Sequence, residues 1–155
     1  MIEVTEIFMW HERAYLPVLG KTEVGFFWEA GTLLTAELSV DALEAALERI
    51  VELGNPSMRH PTQAEFQKLT PVQKALGMRG WKKMARAGVV RCGIWWIGGR
   101  ILVAFSPRDA KDIQETDFAN QKEFPIDASL RMIAEHILRE VSVRQLSSTA
   151  NQEGN

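Results

Sequence analysis

The chain has 155 residues and a mass of 17.5 kDa, with 46% hydrophobic and 25% charged residues, values that fit one globular domain and exclude collagen-like, coiled-coil and wholly disordered chains. No apolar run approaches the roughly 18 to 20 residues of a membrane span, and the start, Met1-Ile2-Glu3-Val4-Thr5-Glu6, has acids where a secretory signal carries bases. The net charge of −2 hides a segregation: residues 1–55 carry −7, residues 56–111 carry +9 and residues 112–155 carry −4. Such asymmetry fits an acidic surface for a basic partner, a basic surface for nucleic acid, or two halves that attract each other on folding.

Residues 3–10 and 22–29 are rich in Val, Ile, Phe and Trp and read as strands, with Leu16-Pro17-Val18-Leu19-Gly20 as a turn-bearing connection; residues 33–38 continue the pattern into a third strand. A helix follows over 41–53. Ser39 or Asp41 opens it, Asp41 and Glu44 stand at capping-box spacing, Leu43, Ala46, Leu47, Ile50 and Val51 form one apolar stripe, and Gly54-Asn55-Pro56 ends it. Short helices are expected near 62–69, 71–76 and 81–87, Pro71 standing where a first helical turn accepts it.

Residues 89–97 and 100–105 are apolar runs separated by Gly98-Gly99, which suits the positive φ angles of a two-residue hairpin turn. Alternation then puts Val90, Cys92, Ile94, Trp96, Ile101, Val103 and Phe105 on the core face, and Arg91, Gly93, Trp95, Arg100, Leu102 and Ala104 on the other. Residues 106–122 read as a polar connection. Phe124-Pro125-Ile126 leads to Asp127, the expected cap of a last helix over 127–143, whose stripe is Leu130, Ile133, Ala134, Ile137, Leu138 and Val141. The whole reads as one α+β domain over 1–144, a mainly antiparallel sheet packed by helices, with a loose tail over 145–155.

No enzyme motif emerges. His11, His60 and His136 are scattered, His136 and Glu140 at i, i+4 read as a solvated helix flank, and Cys92, the single cysteine, falls on the core face as inert packing in a reducing cytosol. Neither a phosphate loop nor a dinucleotide fingerprint occurs, Gly93, Gly98 and Gly99 being taken up by the hairpin, and no metal or cofactor is expected. Two surface features stand out. Trp81, Met84 and Ala85 can bury one side of a short helix while Lys74, Arg79, Lys82, Lys83 and Arg86 form a basic patch in segment 74–91, the feature a nucleic-acid-binding module would use; the overall pI near 5.9 weighs against that. Glu44, Glu48 and Glu52, with Asp41 upstream, form an acidic row along the first helix, either a solvated face or a surface that docks a basic partner.

The run Gln73-Lys74-Ala75-Leu76-Gly77-Met78-Arg79-Gly80-Trp81-Lys82-Lys83-Met84, the strand pair 89–105, and Phe124-Pro125-Ile126-Asp127-Ala128-Ser129 with its closing helix resemble immunity proteins of bacterial contact-dependent growth inhibition systems, over residues 38–143. The resemblance implies a cytoplasmic, non-catalytic α+β protein that binds the toxic C-terminal domain of a secreted effector, often a nuclease, and covers its active site. It takes no small-molecule substrate and touches no membrane. Under that resemblance the toxin-binding residues are Asp41, Glu44, Glu48 and Glu52 of the first helix, or Asp109, Asp112, Glu115 and Asp117 of the polar connection after the hairpin, with Trp95 as an aromatic anchor where its side of the hairpin is open.

Overall fold

The computed structural model describes the backbone of residues 1–153 and the side chains of residues 1–145. Its strands are β1 (Val4–Trp10), β2 (Arg13–Thr22), β3 (Phe27–Glu37), β4 (Ser57–Met58), β5 (Val90–Ile97), β6 (Arg100–Phe105) and β7 (Lys122–Pro125). Its helices are α1 (Val40–Leu53), α2 (Gln63–Phe66), α3 (Pro71–Leu76), α4 (Trp81–Arg86) and α5 (Leu130–Glu153). The strands form one seven-stranded sheet in the order β3-β2-β1-β5-β6-β7, antiparallel throughout except for short β4, which runs parallel to the end of β2. The α+β architecture is therefore as expected.

The β5–β6 hairpin has the anticipated register, Ile97 opposite Arg100, with Gly98 and Gly99 at φ 61° and 73°. Cys92, Ile94, Ile101, Val103 and Phe105 are buried in the main core with Ile7, Met9, Ala14, Leu16 and Val18, and Val90 and Trp96 pack at its margin. Onto this face α1 contributes Leu43, Leu47 and Ile50, and α5 contributes Ile133, Ala134, Ile137 and Val141. Each large aliphatic side chain buried there contributes about 1.5–3 kcal/mol.

The N-terminal sheet departs from expectation. Residues 16–20 are not a turn but the middle of β2, and the turn lies earlier, at His11-Glu12, where His11 adopts φ 48° without a glycine to announce it. Pro17 is accommodated because β1–β2 pairing stops at Tyr15 and the β2–β3 register shifts between Pro17 and Leu19, so its missing N–H falls where the ladder is already broken. Asn55 fills the resulting gap: its Nδ2 donates to the carbonyls of Val4 and Leu19, each at 2.9 Å, and its Oδ1 accepts from Glu3 N at 2.7 Å and Val4 N at 3.2 Å. Residues 22–29 hold the following turn rather than one strand, and Thr22 Oγ1 accepts from Phe26 N there.

Of the two caps open for α1, Ser39 serves, its hydroxyl accepting from Ala42 N at 3.2 Å. Ser129, not Asp127, opens α5, accepting from Met132 N at 3.2 Å. Thr70 and Gln73 form a capping box on α3 with Pro71 at the first turn. α5 continues to Glu153, through most of the stretch expected as a tail, since residues 142–153 contain no Gly or Pro to stop hydrogen-bond propagation; residues 154 and 155 lie outside the described residues.

Candidate functional site

The reverse face of the sheet is covered over only part of its area. There α3, α4 and the connection between them bury Val72, Leu76, Met78 and Met84 against Phe8, Val89 and Ile113, with Trp10, Tyr15, Leu33 and Trp81 at the margin. Trp81, Met84 and Ala85 thus face the sheet, while Lys74, Arg79, Lys82, Lys83 and Arg86 are exposed. Beyond Trp81 the helical cover ends and a cleft of about 530 Å³ opens. Its floor is Val4 and Glu6 of β1 with Arg91 and Trp95 of β5; Phe26, Phe27, Trp28 and Glu29 form one wall, and Trp81 and Gln114 contribute to the rest.

Alternation places this set. Glu6 pairs with Gly93 and Val4 with Trp95 in the β1–β5 ladder, so Val4, Glu6, Gly93 and Trp95 share a face. Trp95 lies back over Gly93, where an added Cβ would come within 2.4 Å of the indole. Gly93 is therefore not a product of the hairpin turn, as its spacing suggested, but the space Trp95 occupies. The indole also meets the Phe118 ring at 5.2 Å between centroids. On the far wall Phe26 and Trp28 pack ring against ring with His60 and Phe66 behind them, at 5.1–5.9 Å.

The cleft's charges are three carboxylates and one guanidinium, and they are not evenly matched. Arg91, whose side chain is only 7% exposed, donates through Nη2 to Glu6 Oε1 at 2.5 Å and through Nη1 to Thr116 Oγ1 at 3.0 Å. Glu3 is paired with Lys21 at 2.8 Å. Glu29 has no cationic partner among the described residues; its carboxylate accepts from Val72 N at 3.0 Å, at the start of α3, and from the Thr70 hydroxyl. Burial pushes the Glu29 carboxyl up to about 7, with the Glu6 charge adding to the effect against the two hydrogen bonds that lower it. A carboxyl near neutrality in an aromatic cleft marks a functional-site candidate.

The predicted binding residues are dispersed. Trp95 is half-buried in the cleft. Asp41 and Glu44 both accept from Arg131, at 2.8 and 3.0 Å, and Glu52 pairs with Arg49, leaving Glu48 exposed and without a partner among the described residues. The acidic row lies on α1, over the opposite face of the sheet from the cleft. In the loop over 106–121, Asp112 Oδ1 accepts from Gln114 N, Glu115 Oε1 from Asp112 N and Asp117 Oδ2 from Asn120 Nδ2, so these three shape turns, and Asp109 is exposed. That loop is no simple polar connection: Ile113 is buried, Ser106 Oγ donates to its carbonyl at 2.6 Å, and Thr116 and Gln114 reach the cleft. Among the remaining singled-out groups, His136 is half-buried against Phe105 and Phe124 rather than solvated, and burial lowers its pKa. Cys92 is fully buried and its thiol is pushed up to about 12 by burial, inert as expected. Among the described residues, no group of three or more His, Cys, Asp or Glu side chains is arranged to hold a metal ion, and no helix is long and apolar enough to cross a membrane.

No family model and no curated protein matches the chain. Among solved structures, a protein of unknown function, NMB0488 from Neisseria meningitidis, superposes with a TM-score of 0.61 over 92% of this chain and 94% of that one, at 9% sequence identity. That likeness establishes a shared fold.

Proposed function

We propose that this chain is an immunity protein of a contact-dependent growth inhibition pair, a non-catalytic binder that neutralises the toxic C-terminal domain of its cognate effector, and that the cleft face of the sheet is its docking surface. The observation that carries the reading is the cleft itself. It combines aromatic walls with an excess of carboxylates, and it is rimmed by Phe26, Ile97 and Phe118, which are 41%, 58% and 54% exposed. Clustered aromatic side chains around a desolvated pocket are the chemistry of protein-interface anchors. Carboxylates there complement a nuclease domain, whose own cleft must be basic to hold nucleic acid.

The cleft replaces the α1 row as the favoured contact because Asp41, Glu44 and Glu52 already have arginine partners on the protein's own surface. The test is to read the open reading frame immediately upstream, express the C-terminal portion of its product, and measure complex formation and loss of toxicity. A stable, neutralised complex is expected. A toxic domain that ignores the protein removes the reading and turns attention to Lys74, Arg79, Lys82, Lys83 and Arg86, whose binding to RNA or DNA would fall steeply with salt.

A further inference from the structure

The cleft's charges point to the chemistry of what enters it. Glu3 and Glu6 each have a cation within 2.8 Å, whereas Glu29 has only the Val72 N–H and the Thr70 hydroxyl. The guanidinium of Arg91 is held by Glu6 and Thr116, so among the described residues the cleft offers no unpaired positive group to an anion. With Glu29 ionised the site therefore lacks one positive charge, next to indole faces whose quadrupoles attract cations. A guanidinium answers both features better than an ammonium, because it is flat, weakly hydrated, stacks on aromatic rings and can fork onto a carboxylate.

We propose that the cleft is a receptor for one arginine side chain of a protein partner, its guanidinium stacked on the cleft's indoles and paired with the Glu29 carboxylate. The exposed apolar rim of Phe26, Ile97 and Phe118 argues for an arginine presented by a protein surface rather than a free cation, since those side chains need a partner's apolar atoms to cover them. Glu29 is well placed for the role: the α3 N-terminus fixes its carboxylate from one side without neutralising it. This inference rests on the docking face proposed above, and supplies the partner residue that face would take.

The test uses the full chain and short probes, acetyl-Gly-Arg-Gly-amide and its citrulline counterpart, which keeps shape and loses charge, with tryptophan fluorescence and indole N–H chemical shifts as readouts. The arginine peptide is expected to saturate, the citrulline peptide to bind at least tenfold more weakly, and Glu29→Gln to weaken the arginine peptide at least fivefold, while Glu48→Gln changes nothing. Circular dichroism establishes that Glu29→Gln is folded; should it not be, Trp28→Leu takes its place with the same expected loss. Equal binding of both peptides, no saturation by the arginine peptide at tens of millimolar, or undiminished binding by the folded variant overturns the proposal. The two readings fail separately: an effector domain bound equally by the wild type and Glu29→Gln removes the arginine receptor alone, whereas arginine-peptide binding without any effector complex removes the immunity reading alone.

Discussion

The two faces of the sheet are made from alternate residues of the same strands, yet they are finished differently. On one, Ile7, Leu16, Ile94 and Val103 meet α1 and α5, and the interface is closed by aliphatic packing. On the other, two helices of six residues cover the region around Phe8 and stop at Trp81, leaving Glu6, Arg91 and Trp95 at the floor of a cleft. A protein that needed only stability would gain by covering both faces. Keeping Glu6 and Arg91 as a partly buried ion pair, with Gly93 vacated for an indole, gives a shaped and chemically particular surface at a cost in burial. The closed face holds the fold and the open face is available to bind.

That division can be broken from either side. The largest effect belongs to the closed face: Leu47→Ala removes a fully buried side chain between α1 and the sheet, and is expected to cost about 3–5 kcal/mol in urea or thermal unfolding, while partner affinity per folded molecule stays unchanged. A smaller effect belongs to Glu29. Its folded pKa is raised above the unfolded value, so the native state binds the extra proton between the ordinary carboxylate range and about 7. Stability is fully present below the unfolded pKa and is lost as pH rises through about 7. Glu29→Gln removes that dependence. The wild type should therefore lose about 2 kcal/mol relative to the variant between pH 4 and pH 8, roughly 4–8 °C in Tm, after allowing for the part of the carboxylate that water reaches. Parallel pH profiles for the two proteins would show that Glu29 carries no such penalty.

The closed face was largely legible from residue pattern, because Gly98-Gly99 sets the hairpin register and register alone decides which side chains point inward. The strand β2 was not, since Pro17 and Gly20 carry turn chemistry; only the opening of the β1–β2 ladder, bridged from a distance by Asn55, makes them compatible with a strand. Gly20 has a reason of its own, the close approach of Met58, whose Sδ would lie 2.5 Å from an added Cβ. The cleft was hardest to foresee because it assembles Glu6, Glu29, Trp81 and Trp95 from separate stretches of chain. One local clue existed, the Gly93-x-Trp95 spacing on a face otherwise mixed in character. In the acidic row of α1 the pairing of Asp41 and Glu44 with Arg131, about ninety positions away, is invisible to helical spacing.

The central claim is that the open face, and not the acidic row, meets the partner. The most direct measurement compares two double variants for affinity to the effector domain proposed as its partner: Trp28→Ala with Glu29→Gln in the cleft, and Glu44→Lys with Glu48→Lys on α1. The account predicts at least a tenfold loss for the cleft pair and less than a twofold change for the helix pair, with both proteins folded. A tenfold loss from the α1 pair with the cleft pair unaffected would contradict it.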